Sequence, residues 1–212
     1  SVLTAPDGSK DGLASVLWEM PVFEKISDDK YMLLVNPVGN GYKPRGLYWI
    51  GSWSNGQFVP DDTQAKYLDL IVGHISPTVA RNADGLLTAI GIVDERRSSE
   101  AQLAAGWTQT FSAPRVWSLA ADGATIQQAP AAQLSDLRLN NSVREQSNLI
   151  VNGETLLEAK GRRVEIIAEL DASDTANKYG VVIAASADGQ EKTVIYYDAI
   201  NKNIVLDKTK ST

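Results

Sequence analysis

One carboxylate stands in a setting suited to proton transfer. Glu19 lies in Leu17-Trp18-Glu19-Met20-Pro21-Val22-Phe23, between a large aromatic and a proline, on a stretch that reads as a buried strand. Burial beside an indole disfavours the charged form of a carboxyl, and a carboxyl still protonated near neutral pH can act as a general acid. The competing reading is structural: a lone Glu that pairs with an Arg or sits at a sheet edge. The remaining candidates carry less. His74 is the sole histidine and has no carboxylates around it at metal-ligand spacing, so no metal centre is expected. Asp69, close to it in sequence, reads as a turn or hydrogen-bonding residue. Asp94-Glu95-Arg96-Arg97 reads as local ion pairs on a solvated strand end. Gly39-Asn40-Gly41 lacks the strand–turn–helix setting of a phosphate loop.

Composition narrows the class of partner. The chain has 212 residues, 43% of them hydrophobic, a net charge of −6 and no cysteine. An acidic chain of this kind argues against nucleic acid or an anionic membrane as partner, since both need basic patches. Without cysteine there are no disulfides and no thiolate ligands. No run of about 18 apolar residues occurs, so no membrane-spanning helix is expected. The first residues carry no signal-peptide pattern, a feature that a mature secreted or periplasmic protein shares.

The elements that must position Glu19 read as short strands. Val16–Phe23 is the first, with Pro21 placing it near an edge. Tyr31–Asn36 is a continuous apolar run, broken by Asn36-Pro37 and Gly39-Asn40-Gly41. Leu47–Trp53 and Gln57–Pro60 flank Asn55-Gly56, the strongest hairpin signal in the chain. Residues 61–75 are irregular. Leu86–Asp94 reads as a central strand, and Glu95–Ala105 as a loop or one or two helical turns. Strands at Val116–Ala120 and Thr125–Gln128 follow, then a short helix over Ala131–Arg138. The turns at Asp7-Gly8 and Asp11-Gly12 belong to an entering loop. Past Asn140, alternation predicts six strands: 148–151, 155–157, 163–170, 179–186, 192–198 and 203–207. The expectation is all-β, with a propeller or barrel over 1–120 and a β-sandwich over 121–212. Six strands are few for a sandwich and the first part too short for a closed propeller. The chain therefore reads as an internal piece of something longer.

The motifs, taken in order, resemble glycoside hydrolase family 32, the invertase, inulinase and levanase family. Trp18-Glu19-Met20-Pro21 is similar to that family's Trp-Glu-Cys-Pro signature, with Met for Cys. Tyr48-Trp49-Ile50-Gly51 through Gly56-Gln57-Phe58 resembles the hairpin that follows it. Gly106-Trp107 through Ser112-Ala113-Pro114-Arg115 resembles the Gly-Trp…Ser-x-Pro-Arg segment that closes the propeller. Asp122-Gly123, Gln128-Ala129-Pro130 and Leu134–Arg138 resemble the linker, and Asp207–Ser211 a turn of the sandwich. Each match is weak alone, whereas the ordered set spans nearly the whole chain.

The resemblance implies later blades of a five-bladed β-propeller followed by a partial β-sandwich. It implies a retaining mechanism on β-fructosides such as sucrose, inulin or levan, with Glu19 as acid/base. It also implies an Asp nucleophile from an Asn-Asp-Pro-Asn stretch, and an Arg-Asp-Pro stretch, neither of which occurs in this sequence. Both are expected outside it, with a second chain supplying the first blades as one arrangement. No cofactor and no metal are implied. Trp18, Trp49, Trp53 and Trp107 offer flat faces for a sugar, the first three as the expected contacts, although core is the expected place for at least two of the four. His74 is a loop residue within reach of substrate, where Gly73-His74-Ile75-Ser76 departs from the family's Asp-Phe-Tyr-like segment. The alternative is a non-catalytic carbohydrate-binding or structural β-protein.

Overall fold

The computed structural model describes residues 3–7, 13, 17–39, 45–69, 74–139, 142–158, 160, 161, 163–173 and 175–211. The expected features at Asp7-Gly8, Asp11-Gly12, Gly39-Asn40-Gly41, Gly73 and Asn140 lie wholly or partly outside them. The chain divides into two compact units, Ser1–Val143 and Arg144–Thr212. The boundary expected near residue 120 falls instead at the turn of a hairpin, Arg115–Leu119 with Ile126–Pro130, whose strands share one sheet with Leu87–Val93. Cross-strand pairing keeps that hairpin in the first unit.

The first unit contains two antiparallel meanders. In the first sheet, β1 (Leu17–Lys25), β2 (Tyr31–Val38) and β3 (Leu47–Ser54) follow one another in space, and β4 (Gln57–Pro60) and β5 (Lys66–Tyr67) share the far edge of β3. Asn55 and Gly56 both have positive φ, 52° and 75°, as the two-residue turn between twisted strands requires. β2 runs on through Pro37 to Val38 rather than breaking at Asn36. Its last pair with β3 is Val35–Leu47, so the missing N–H of Pro37 interrupts no ladder on that side.

In the second sheet, β6 (Ile75–Arg81), β7 (Leu87–Val93), β9 (Arg115–Leu119) and β10 (Ile126–Pro130) lie in that order, and β8 (Thr110–Phe111) extends the edge of β7 beside β9. β7 is central, as its apolar run predicts. β6 is a strand where the sequence reads as a loop. Ser76 and Pro77 hide its alternation, for a reason given below. Helix α1 (Ser99–Ala105) is capped by the Ser98 hydroxyl, which accepts from the Ala101 N–H, and ends at Gly106 with φ 73°.

Alternation assigns the two faces of β2. Met32 and Leu34 join Tyr48 and Ile50 against Leu87, Ala89, Trp117 and Ile126 of the second sheet, forming one core. Val35, with Leu47 and Trp49, packs on the opposite face against Ala5, Leu13 and Ala65. The Ile126 N–H donates to the buried Tyr48 hydroxyl at 3.1 Å, a polar tie between the sheets within the first core.

The second unit holds a three-stranded meander: β11 (Lys178–Ile183), β12 (Lys192–Asp198) and β13 (Asn203–Lys210). Asp198 closes its second turn by accepting from the N–H groups of Ile200 and Asn201. The three strands expected at 148–151, 155–157 and 163–170 do not form among the described residues. Their apolar side chains are exposed, Ile150 at 91% and Ile167 at 82%. An alternating sequence becomes a strand only when a neighbour completes its hydrogen-bond ladder, and no described segment does so here.

Candidate active site

The geometry around Glu19 begins with an irregularity in β1. Glu19 pairs with Asn36 and Val22 with Leu34, so Met20 and Pro21 together face the single residue Val35. Met20 takes φ 47°, a left-handed conformation at the first position of a β-bulge. The second sheet repeats this on its own first strand. Ile75 pairs with Ile92 and Thr78 with Ile90, which leaves Ser76 and Pro77 facing Gly91. Ser76 has φ 46°. Each sheet thus opens with a left-handed residue followed by proline, and this insertion is what disguises β6 in the sequence.

Asn36 lies between the two bulges, 1% exposed. Its Oδ1 accepts from the Ser76 N–H at 2.9 Å, and its Nδ2 donates to the Met20 carbonyl over a longer 3.4 Å. As cross-strand partners, Glu19 and Asn36 project from the same face of the sheet. A groove of about 380 Å³ runs on from the bulges, lined by Met20–Glu24 of β1 and Pro77–Val79 of β6.

Two features expected of Glu19 are absent. β1 is an edge strand, and Leu17–Pro21 are exposed rather than buried. Trp18 points to the other face, where it stacks on Trp49 with ring centroids 5.7 Å apart. The indole next to Glu19 in sequence is therefore not its neighbour across the sheet.

The candidate sugar-contact residues separate in the same way. Trp18 keeps an open surface, at 41% exposure. Trp49 does not: it is 1% exposed and its Nε1 donates to the Thr63 carbonyl at 2.9 Å, so it is a core residue with no face open to a sugar. Trp53 shares that side of β3, four residues or about 13 Å further along the strand. There it joins an aromatic group with Phe23, 5.1 Å away between centroids, while Tyr31 and Phe58 pack on Phe23 as well. Trp18 and Trp53 thus lie on the face opposite Glu19, and the structure does not gather these side chains into one cluster.

His74 is fully buried rather than placed on an accessible loop. Its ring lies over Gly91, where an added Cβ would come within 2.8 Å of Nδ1, and meets Trp117 edge-on at 6.0 Å. Nδ1 is 2.8 Å from the Ser112 Oγ. That hydroxyl accepts from the Gly91 N–H and donates to the Ala113 carbonyl, which makes Nδ1–H the donor. Nε2 has no hydrogen-bond partner among the described residues. Burial first, and the Arg115 guanidinium second, push the imidazole down to about 4, against a smaller opposing pull from Asp69. His74 therefore serves the packing of β6 on β7.

This burial has a pH consequence. An imidazole that titrates at 6.5 when unfolded and at about 4 when folded stabilises the fold fully above pH 6.5 and loses that contribution as pH falls toward 4. By pH 5 the loss is about 2 kcal/mol, from roughly 1.4 kcal/mol per pH unit. All five tryptophans, at 18, 49, 53, 107 and 117, lie in the first unit, so their fluorescence follows its unfolding. Denaturant midpoints are expected to fall from pH 7 to pH 5, and the His74→Phe variant to flatten that interval. An equal fall in the variant would assign the effect elsewhere.

The segment Ser112–Arg115 delivers Arg115 to the carboxylate of Asp69 at 3.0 Å and to Gln128 Oε1 at 3.1 Å. Gln128 Oε1 also accepts from the Trp117 indole, and its amide donates to the Leu68 carbonyl. Asp69 is thus an ion-pair and hydrogen-bonding residue, in line with its structural reading. Glu95 and Arg97 form a bidentate pair, with contacts of 3.0 and 2.6 Å, and the guanidinium lies 3.8 Å from the centroid of Trp107. The Arg97 contacts hold the Glu95 carboxyl well below the usual range. Trp107 is committed to this local structure. Among the described residues no group of three or more His, Cys, Asp or Glu could hold a metal ion.

Asn36 and Ser76 are the site residues that sequence reasoning missed. The signal was present in the paired Met20-Pro21 and Ser76-Pro77, each able to mark a bulge at the head of a sheet.

Comparisons with known proteins bear on this arrangement. A model of the Glycosyl hydrolases family 32 N-terminal domain matches residues 3–130, and one of the Glycosyl hydrolases family 32 C terminal matches residues 133–212. No curated protein matches the chain. Among solved structures, an exo-inulinase from Aspergillus awamori is similar at 17% identity and TM-score 0.64, over 93% of this chain and 42% of that one. A GH32 beta-fructofuranosidase of Bombyx mori is similar at 18% identity and TM-score 0.63, over 89% of this chain and 40% of its own. Fructan 1-exohydrolase IIa from Cichorium intybus, solved with 1-kestose, gives 18% and 0.62 over 85% and 42%. At such identities the likeness is one of fold. The chain spans about two fifths of the length of these structures.

Proposed function

The chain belongs to glycoside hydrolase family 32, and from that premise we propose that it is part of a retaining β-fructosidase in which Glu19 is the acid/base. The observation that carries the reading is the placement of Trp18-Glu19-Met20-Pro21: an exposed Glu19 at the lip of β1, directly before a bulge, on a strand that contacts the first strand of the next sheet. In this reading the two meanders of the first unit are later blades of a five-bladed propeller, and the three strands of the second unit belong to a β-sandwich. The catalytic domain over 1–120 and the sandwich over 121–212 are then better divided between residue 130, where the match to the N-terminal domain ends, and residue 143, where the first unit ends.

The mechanism follows from the chemistry of two carboxyls. A nucleophile Asp supplied from outside this chain attacks the anomeric carbon of fructose while Glu19 gives its proton to the leaving oxygen. Water, deprotonated by Glu19, then releases fructose from the enzyme. Direct attack needs the two carboxyls about 5–5.5 Å apart. Trp18 and Trp53 are proposed as sugar contacts only on the side of the sheet opposite Glu19, where their faces are exposed. His74 and Trp49 are not.

A second reading has an observation of its own. No Asn-Asp-Pro-Asn or Arg-Asp-Pro stretch occurs among the 212 residues, which favours a chain that by itself binds carbohydrate without cleaving it. One experiment separates the two. Purified protein is incubated with sucrose, inulin or levan in the presence of methanol. Methyl β-fructoside among the products supports retention. The α-anomer would overturn the mechanism. No fructose release together with measurable fructan binding would favour the second reading for this chain.

A further inference from the structure

We propose that Asn36 is a positioning residue for the acid/base: it joins the bulge that carries Glu19 to the matching bulge of the neighbouring sheet, and so sets the aim of the carboxyl. The inference rests on the acid/base reading of Glu19.

The argument starts from what a bulge does to a strand. Two residues against one leave the ladder locally open, and the residues on either side can slip. A one-residue slip turns a side chain to the opposite face of the sheet. Glu19 directly precedes such a point, on an edge strand whose other side has no partner within its sheet. Its placement therefore needs a tether beyond the ladder. Asn36 supplies one, and its amide suits the task. It presents one acceptor and one donor on a short, fully buried stem. The acceptor takes the Ser76 N–H at 2.9 Å and the donor reaches the Met20 carbonyl at 3.4 Å. Both groups belong to the left-handed residue of a bulge, with φ 46° and 47°.

The equivalence of the two bulges strengthens the case. The residue before the second bulge is Ile75, buried in the first unit. That strand thus presents an anchored, apolar copy of the geometry and serves as the fixed side of the clamp. The residue before the first bulge is the carboxylate. Asn36 faces Glu19 directly across the ladder, so it ties a neighbouring peptide without covering the carboxyl.

The test uses the full assembly that carries the nucleophile, with two substrates. Sucrose has a poor leaving group and needs the acid, whereas an aryl β-fructoside with a weakly basic leaving group does not. Asn36→Leu keeps the volume and removes both hydrogen bonds. It is expected to cut kcat/KM on sucrose, which reports the first step alone, about 10- to 100-fold, up to the lower end of what general acid catalysis supplies, and to leave kcat/KM on the aryl substrate within a few-fold. Asn36→Asp is expected to restore sucrose cleavage, because a carboxyl buried there is protonated and keeps one donor and one acceptor. Tryptophan fluorescence verifies that each variant is folded. If the leucine variant does not fold, Asn36→Ser gives the same comparison with a smaller loss.

Equal losses on both substrates, or no loss in a folded variant, would overturn the role of Asn36. Glu19→Gln is run in parallel. If it too shows no leaving-group dependence, the acid/base reading fails. If it does and Asn36→Leu does not, the positioning role alone fails.

Discussion

Glu19→Ala is expected to lower fructose release from sucrose, inulin and levan by about 10²- to 10⁴-fold, the span general acid–base catalysis contributes. Sugar binding should persist, because the residue lies at an exposed strand lip and supports no core contact. The melting profile should be unchanged for the same reason. The loss in kcat/KM should shrink on aryl β-fructosides, whose leaving groups depart without a proton. On those substrates a small anion such as azide should recover turnover by capturing the fructosyl intermediate, which water attacks slowly without a base. Initial rates on matched sucrose and aryl substrates check this. An unchanged sucrose rate would remove Glu19 from the mechanism.

Trp49→Ala should act through stability. Trp49 is among the largest fully buried side chains of the first unit and packs with Val35, Leu47 and Ala65. Truncation of such a residue costs about 3–5 kcal/mol from lost transfer energy and the cavity left behind. The hydrogen bond adds little, because the Thr63 carbonyl also accepts from the Thr4 N–H at 2.8 Å and is not left orphaned. Trp18 would lose its stacking partner as well. Denaturant unfolding followed by the remaining tryptophans measures the effect. A sugar platform would behave in the opposite way, with KM raised on long fructans and the unfolding midpoint unmoved. Trp18→Ala, at an exposed ring, is the matched control.

The contrast between Trp18 and Trp49 shows where the sequence was legible. Local chemistry was readable: Asn55-Gly56 encodes its own turn, Ser98 and Gly106 bound α1, and the apolar run of β7 marks a central strand. The ordered motifs were also readable, and they gave the family. What depends on pairing was not. Whether a strand residue faces core or solvent is a matter of register with its neighbours, so Trp18, Trp49 and Trp53, all read as sugar faces, have different fates. Glu19 looked buried because its flanks are apolar, yet an edge position exposes them. His74 looked accessible because Ser76-Pro77 resembles a loop, yet the bulge lets β6 continue. Segments 148–151 and 163–170 have the composition of strands and lack a partner among the described residues. Asn36 was read as a chain breaker because proline follows it. Its hydrogen bond to Ser76 appears only once two strands distant in sequence lie side by side.

The bulge in β1 also divides the strand by how easily each part opens. Below it, Val22–Lys25 are paired without interruption to Tyr31–Leu34 and backed by the core between the sheets. Above it, Leu17, Trp18 and Glu19 are held by three strand pairs, one of them with Pro37, which has no N–H to donate, and by the stack of Trp18 on Trp49. The lip bearing the carboxyl is thus a small local-unfolding unit set on a much more cooperative one. Fraying of the lip costs little of the global stability, so the protein can remain fully folded by every bulk measure while Glu19 is out of place.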